Sequence, residues 1–214
     1  MLDFIKNYIR NMKLRTFLVM FCGVYVMGLG IAFLRFANLG TDPFSGMNLA
    51  LSALTGIYYP HTQILINLFF FVIEIIWGRG FIGIGTFVNA LLAGYFINYS
   101  YLFLSPLFAR FENGNLAIRI LLLIIGLLVT SLGLSMYQQG NLGVAPFDAV
   151  SLILHERIQK VPYFVFRVAG DAFCALVCFF AGGTMGIGML VTAFGFGPVI
   201  QFFDGTLTKK LLGK

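Results

Sequence analysis

Two short stretches of the 214-residue sequence carry residue types that suit the binding of a polar solute. Residues 38–44 read NLGTDPF, and residues 141–147 read NLGVAPF. Proline is favoured at the first position of a helix, and an aspartate just before it caps free backbone amides. Free amides at a helix start also attract anionic or polar groups. Each stretch therefore predicts a helix start, which is either a capped turn alone or part of a binding site.

The candidate substrate-binding residues belong to these two helix starts and the first turns that follow them. Asp42 is the predicted N-cap of the first helix. Ala145 cannot cap the second helix, but an aspartate in its first turn suits the positive end of the helix dipole. For the two asparagines, stabilising the turn and contacting the solute remain alternatives. The full set is Asn38, Gly40, Asp42, Phe44, Ser45, Asn141, Gly143, Phe147 and Asp148.

A pair of opposite charges lies within an apolar stretch of the second half. Arg167 and Asp171 are four residues apart, so a helix places them on one face. Ionisable groups at membrane depth are costly and are usually functional. The pair is therefore read either as a structural salt bridge or as an ion-coupling site. Arg35, just before the first stretch, and Glu74, near the end of an apolar segment, are accessory candidates.

The composition indicates an integral membrane protein. Hydrophobic residues make up 59% of the chain and charged residues 10%, with a mean hydropathy of +0.93. A soluble domain carries roughly a quarter charged residues. The net charge of +6 comes from basic residues at the ends of apolar runs. That placement is typical of membrane topology rather than nucleic-acid binding, and it predicts that both termini are cytoplasmic.

The sequence contains no catalytic or metal-binding motif. HExxH, GxSxG and paired-acid patterns are missing, and the two histidines, His61 and His155, lie at the ends of apolar segments. Cys174 and Cys178 are four residues apart, but two thiols without a nearby histidine do not form a zinc site. We therefore expect no enzyme activity, no metal and no cofactor.

An internal repeat appears when the chain is compared with itself at an offset of 103 residues. Beyond the opening stretches, GFIGIG (80–85) matches GTMGIG (183–188), and glycines and aliphatic residues match along both halves. These glycines predict tight turns and close helix approach. The predicted organisation is an amphipathic interfacial segment (1–15), a first membrane repeat (16–104), a connecting loop (105–118), a second membrane repeat (119–207) and a basic tail (208–214).

Each half divides into four apolar segments, which predicts an all-α polytopic membrane protein of about eight helices. The segments are 16–36, 43–58, 61–77 and 81–104, then 119–139, 146–160, 162–180 and 184–204. The second of each half is short, so it is either a short spanning helix or a re-entrant one. Eight crossings would make the two repeats parallel, and six would make them inverted. The flanking charges slightly favour eight.

The paired NLGxxPF turns, each after a glycine-containing first helix, and the GIG at the start of each fourth helix resemble the bacterial YczE/YyaS/YitT-type membrane proteins. The resemblance covers nearly the whole chain. It implies a multi-pass protein of the bacterial inner membrane from a largely uncharacterised group, often suspected of transport. Because no soluble C-terminal domain of the YitT kind is seen, the YczE-like branch is expected.

Two functions are compatible with these features. The first is a transporter or facilitator for a small polar or anionic solute, bound between the repeats at the paired helix starts. The alternative is a membrane accessory protein that does not transport but organises a biosynthetic or signalling partner through its exposed 155–160 segment. In either case the lipid bilayer is a partner, nucleic acid is not expected, and a homo-oligomer remains open.

Overall fold

The computed structural model describes residues 14–111 and 114–212, and this part of the chain is helical, without strands. Short 3₁₀ turns flank the fourth helix at Arg79–Phe81 and Ala109–Phe111, and a π-helical turn, Asp204–Thr208, leads into a four-residue helix, α9 (Lys209–Leu212). The predicted all-α class is confirmed. The eight helices of 12 or more residues are α1 (Leu14–Ala37), α2 (Pro43–Thr55), α3 (Tyr59–Trp77), α4 (Ile84–Phe108), α5 (Leu116–Gln139), α6 (Pro146–Arg157), α7 (Tyr163–Phe180) and α8 (Ile187–Phe203).

Six of these helices are long and apolar enough to cross a bilayer: α1, α3, α4, α5, α7 and α8. The other two, α2 and α6, have 13 and 12 residues, which at 1.5 Å per residue reach only about 18–20 Å. The prediction that the second helix of each half is short is therefore confirmed. The preference for eight full crossings is not supported, because a bilayer core of about 30 Å needs about 20 residues.

The predicted interfacial segment over residues 1–15 lies almost entirely outside the described residues. Its last two residues, Leu14 and Arg15, already form the start of α1. The Arg15 Nε atom donates to the backbone carbonyl of Leu211 at 2.7 Å. The beginning of α1 and the end of α9 are therefore neighbours at one end of the helix bundle.

Glycines allow α1 and α5 to pack closely along most of their length. A Cβ atom at Gly30 would lie 2.3 Å from the Thr130 nitrogen, and one at Gly133 would lie 2.2 Å from the Met27 nitrogen. Small residues let membrane helices approach in this way. Since residue numbers rise along α1 as they fall along α5, the two helices are antiparallel.

α4 lies beside α1 and runs in the same direction. The rings of Phe21 and Phe96 lie 5.6 Å apart, and those of Phe36 and Tyr101 lie 4.6 Å apart. Residue numbers therefore rise together along both helices.

α8 lies beside α5 and also runs parallel to it. A Cβ atom at Gly188, at the start of α8, would lie 3.0 Å from Leu123, near the start of α5. Towards the other end, the Ser135 hydroxyl donates to the Asp204 carboxylate at 2.6 Å. The first and last long helices of each half thus share a direction, and the two halves point in opposite directions.

α3 runs against α4. Near the start of α3, His61 lies 3.1 Å from the Tyr95 hydroxyl, and nearer its end the rings of Phe71 and Phe87 are 5.3 Å apart. Consecutive long helices in the first half, α1, α3 and α4, therefore alternate in direction.

Each NLG turn packs against the start of a long helix from the other half of the chain. The Leu39 carbonyl accepts from the Gly188 amide at 2.7 Å, and the Leu142 carbonyl accepts from the Gly85 amide at 2.7 Å. The structure therefore confirms that the GIG glycines serve close backbone approach. These two crossed contacts hold the helix starts of the candidate site in place.

Candidate functional site

The two asparagines of the repeated stretches end helices. Asn38 and Asn141 have left-handed backbones, with φ of 48° and 50°, and each amide donates to the carbonyl three residues earlier at 3.0 Å. Asparagine is one of the few residues that adopt this conformation at a helix C-terminus. Gly40 and Gly143 follow with φ of 92° and 112°, which glycine accepts without strain. The turn-forming role of both asparagines is therefore present in the structure.

The two short helices begin as the sequence predicts. The Ser45 amide donates to the Asp42 carboxylate at 2.9 Å, so Asp42 caps α2, whose first residue is Pro43. α6 begins at Pro146 without a side-chain cap, and Asp148 lies in its first turn. Both helix starts thus carry a carboxylate that offsets the positive end of the helix dipole.

The starts of α2 and α6 meet inside the protein. The rings of Phe44 and Phe147 stack at 4.7 Å with their planes 19° apart, and Phe70 of α3 contacts Phe147 edge-on at 5.4 Å. Offset stacks of this kind stabilise beyond the area they bury. The two predicted aromatic residues therefore form one contact that joins the halves of the chain.

From this common point, α2 and α6 run in opposite directions. α6 runs beside α3 in the same direction, since Phe147 contacts Phe70 and, further along, Ile153 contacts Gly78 at the end of α3. α2 likewise runs beside α7 in the same direction. A Cβ atom at Gly46 would lie 3.5 Å from the Cys178 sulfur, and further along α2, Ala50 lies beside Gly183, just past the end of α7. Each short helix thus starts at the centre and ends at a different face of the bundle.

A cavity of about 70 Å³, here called the central cavity, lies at these helix starts. Four polar side chains on long helices line it in addition to the predicted residues: Gln63, Asn67, Asn89 and Thr130. The sequence analysis did not include them. The available signal was that Gln63 and Asn67 are four residues apart on an apolar helix. The predicted residues that line the cavity are Asp42, Phe44, Ser45, Phe147, Asp148 and Arg167.

Arg167 is the charged centre of the site. It forms a salt bridge with Asp148, and its Nε lies 3.5 Å from the Asp171 carboxylate. Its guanidinium carbon lies 5.2 Å from the centre of the Phe147 ring. The pairing expected from the four-residue spacing of Arg167 and Asp171 is present, and the structure adds Asp148 as a second carboxylate partner.

A second cavity of about 290 Å³, here called the vestibule, opens beside the end of α1 and along α2. Arg35, Asn38 and Gly40 line it, so these predicted residues lie apart from the central cavity. The Arg35 guanidinium lies 3.7 Å from the Tyr101 ring centre and 5.7 Å from that of Tyr59. Arginine over an aromatic face is a favourable arrangement.

Four predicted residues line neither cavity: Asn141, Gly143, Asp171 and Glu74. Asn141 is exposed. Gly143 packs against the start of α4, where a Cβ atom would lie 2.6 Å from the Gly83 nitrogen. Glu74 is fully buried on α3 near its end at Trp77, and it also lines neither cavity. The two repeated stretches thus adopt the same turn in different surroundings.

Comparison with known protein families identifies a family of unknown function. The model of a family of unknown function (DUF6198) matches residues 14–205 of this chain. The match includes all eight helices of 12 or more residues and both NLG turns.

Three bacterial proteins are similar along most of their length. The chain is 24% identical over 192 residues to the uncharacterised protein YyaS of Bacillus subtilis, which covers 90% of this chain and 94% of YyaS. It is 21% identical over 183 residues to the uncharacterised membrane protein YczE of Bacillus subtilis, covering 85% and 82%. An uncharacterised protein of Haemophilus influenzae is 23% identical over 191 residues, covering 88% and 83%. No solved structure matches. The resemblance to YyaS- and YczE-type proteins is confirmed.

Proposed function

We propose that this chain, which belongs to the DUF6198 family of unknown function, is a transporter or facilitator that moves a small polar solute through the central cavity. One observation carries the proposal. Two helices begin at the same buried point, and their first turns line a cavity that also contains Arg167 and buried amide side chains. Within a bilayer, non-helical backbone and helix starts are tolerated where they line a cavity, and repeat-built transporters bind their solutes at such places.

The helix directions support a duplicated fold with inverted halves. α1 opposes α5, and within each half the first and last long helices run parallel, so each half makes three crossings. α2 and α6 add no crossing, because each starts at the centre and ends beside the start of the next long helix. In this arrangement they are re-entrant half-helices. These directions favour the inverted plan with six crossings over the parallel plan that the flanking charges slightly favoured.

The charges at the two faces support an orientation. We call the face that holds the start of α1 and the end of α8 the inner face. Cytoplasmic loops of membrane proteins are rich in Lys and Arg. The outer face carries Arg110 and Arg119, near the loop between α4 and α5. The inner face carries more: Arg15, Arg79, Arg157, Lys160, Lys209 and Lys210. This distribution supports an orientation with the inner face, and with it the start of α1 and the end of α9, on the cytoplasmic side of a bacterial inner membrane.

Cysteine labelling in whole cells tests the six-crossing plan. In a background without the three native cysteines, Ile57→Cys lies in the loop after α2, and Gly80→Cys lies in the turn between α3 and α4. We expect a membrane-impermeant maleimide to label Ile57→Cys in intact cells and Gly80→Cys only after permeabilisation. Both positions are open to reagent, since Ile57 is exposed and nothing lies within 4 Å of a Cβ atom at Gly80. Eight crossings would reverse both results.

The charges in the central cavity indicate the kind of solute. The cavity is lined by the carboxylates of Asp42 and Asp148 and the guanidinium of Arg167, and Asp171, outside the cavity, is a second partner of Arg167. The Asp42 Oδ2 atom caps α2, whereas its Oδ1 atom is buried and accepts no hydrogen bond from the described residues. An unused buried acceptor favours a partner that donates. A zwitterionic, amine or polyol solute therefore fits better than a simple anion.

A thermal-shift screen of the purified protein tests the site. The panel contains zwitterionic amino acids, amines and polyols, with phosphate and small carboxylates as its anionic arm. We expect a compound from the first group to raise the melting temperature, and Asp42→Asn to weaken its binding by about 10–100-fold, because a hydrogen bond to a charged group contributes roughly 1.5–3 kcal/mol. Asparagine still caps helices, so α2 remains intact in this variant.

The exposed carboxylate Glu156 provides the matched control. Glu156→Gln changes charge by the same amount outside the cavity, and its shift is expected to equal that of the wild type. Uptake of the stabilising compound into proteoliposomes then separates transport from binding. Equal shifts in Asp42→Asn and the wild type would exclude Asp42 from the site. Stabilisation by the anionic arm alone would contradict the proposed solute class.

The exposed segment at the end of α6 favours a second function, a membrane accessory protein. Residues 156–160 are exposed at the inner face and include Arg157 and Lys160. A basic segment at that face suits an acidic protein partner. In this case, no panel compound would change the melting temperature, and neutralising Arg157 and Lys160 would abolish co-purification of the partner.

A further inference from the structure

Glu74 carries a buried carboxyl group. Its exposed fraction is 0%, and neither of its carboxyl oxygens forms a hydrogen bond with any of the described residues. It lies on α3, one turn before the end of that helix at Trp77. Buried polar groups are nearly always hydrogen-bonded, so such an exception needs an explanation.

The charged groups around Glu74 on the neighbouring elements have other contacts. On α6, Asp148 binds Arg167, Arg157 lies 5.5 Å over the Trp77 ring, and the His155 ring lies 3.0 Å from a backbone carbonyl. In the turn after α3, the Arg79 Nε donates to a carbonyl of α3 at 2.9 Å.

The other helices that pack on α3 offer no charge near Glu74. α2 has no ionisable side chain. The ionisable side chains of α4 are three tyrosines: Tyr95 and Tyr99 lie near the start of α3, as does His61 of α3 itself, and Tyr101 lies beside Arg35. From α5, the Tyr137 hydroxyl lies in the neighbourhood of Glu74 and is also buried without a hydrogen-bond partner among the described residues. Within residues 14–111 and 114–212, Glu74 therefore has no cation to balance an ionised form.

An ionised carboxylate in these surroundings would be strongly unfavourable. Moving an isolated charge into an apolar interior costs far more than a folded protein can offset, so such a group takes up a proton instead. In the conformation seen here, the neutral carboxylic acid is the form that fits. The group releases its proton when water reaches it.

Buried polar side chains lie along one face of α3, on which Phe70 stands between Asn67 and Glu74. Tyr59, Gln63, Asn67 and Glu74 lie at intervals of four, four and seven residues, and all four are buried. Tyr59 lies beside Arg35 of the vestibule, and the next two line the central cavity. From Asn67 to Glu74 the rise along the helix axis is about 10 Å. The face therefore leads from the vestibule through the central cavity towards the inner face.

We propose that Glu74 is a proton-binding site that couples proton movement to solute movement through the central cavity. A proton from water on one side binds the Glu74 carboxylate to give the carboxylic acid, and the acid releases it to water on the other side when the cavity opens there. The coupling part of this inference rests on the proposed transport function. The proton-binding part rests on the burial and isolation of Glu74 alone.

Infrared spectroscopy of the purified protein tests the bound proton. We expect the wild type at neutral pH to show the carbonyl stretch of a protonated carboxyl group, with its shift in deuterated water, and Glu74→Gln to lack that band. Glu156→Gln, which removes an exposed carboxylate, is expected to retain it. A band of equal size in the wild type and Glu74→Gln, or no band in either, would overturn the proposal without bearing on transport.

Proteoliposomes with a trapped pH-sensitive dye test the coupling. The probe is the amino acid, amine or polyol of the panel that gives the largest thermal shift. With an imposed pH gradient, the wild type is expected to accumulate it and to acidify or alkalinise the lumen, whereas Glu74→Gln equilibrates it without either effect. Accumulation by Glu74→Gln as in the wild type would overturn the coupling role while the proposed function stands. No uptake by the wild type would count against the proposed function itself.

Discussion

Arg167→Leu is expected to lower the free energy of unfolding by about 3–5 kcal/mol, because it leaves two mostly buried carboxylates without their cation. The Asp148 and Asp171 side chains are 14% and 8% exposed, and the arginine contacts both. Losing one partner of a buried charge group costs more than the group contributes when intact. The measurement is thermal or denaturant unfolding of the purified protein in detergent.

Two further variants separate charge from packing at this site. Arg167→Lys keeps the charge but lacks the planar fork that spans two carboxylates, so we expect an intermediate loss. Adding Asp148→Asn and Asp171→Asn to Arg167→Leu removes the unpaired charges, and most of the stability is expected to return. If stability does not return, the contribution of Arg167 comes from its contact with the Phe147 ring instead.

The local parts of the site could be predicted from sequence, because they depend on neighbouring residues. Proline at the first helical position and aspartate before it define the start of α2, and Asp42 does cap it. The spacing of Arg167 and Asp171 places them on one helix face, and the Arg167 Nε atom lies 3.5 Å from the Asp171 carboxylate. These features follow from helix geometry alone.

The assembly of the central cavity could not be predicted in the same way. Gln63, Asn67, Asn89 and Thr130 come from α3, α4 and α5, and only the packing of these helices brings them to one place. Isolated amides on apolar helices more often bind neighbouring helices. One of them does both: Asn67 donates to the Ala90 carbonyl at 3.3 Å and lines the cavity.

The choice between six and eight crossings stayed open in the sequence for a related reason. The shortness of α2 and α6 fits either a short spanning helix or a re-entrant one, and flanking charge describes each helix separately. The stacked rings of Phe44 and Phe147 place the starts of α2 and α6 together in the interior. No local property of either short helix indicates that contact.

The repeated motif is explained by its partner in the other half. The Leu39 and Leu142 carbonyls each accept from a glycine amide of the GIG stretch in the opposite half. The left-handed turn directs the leucine carbonyl outward, and the absence of a side chain on glycine lets the backbones touch. NLG and GIG are therefore two sides of one contact, formed twice with the halves exchanged.

Gly83→Ala and Gly186→Ala are each expected to destabilise the protein by about 3 kcal/mol or more, as strong overpacking does. A Cβ atom at Gly83 would lie 2.2 Å from the Leu142 carbonyl oxygen, and one at Gly186 would lie 2.2 Å from that of Leu39. Both glycines have extended backbones that any residue adopts, with φ of −153° and −172°. The cost therefore comes from steric contact with backbone atoms that the adjacent hydrogen bonds hold in place.

Gly80→Ala and Gly197→Ala provide matched controls. Gly80 lies three residues before Gly83, and Gly197 lies within α8. Nothing lies within 4 Å of a Cβ atom at either position. Gly197→Ala is expected to stabilise its helix by about 0.8–1 kcal/mol, because alanine has the higher helix propensity. Melting temperature and the monodisperse fraction in size-exclusion chromatography measure all four variants. A fixed carbonyl oxygen 2.2 Å from the position of the new Cβ atom leaves no room for a methyl group. If Gly83→Ala and Gly186→Ala melted like their controls, the crossed NLG–GIG contacts would therefore not be what joins the two halves.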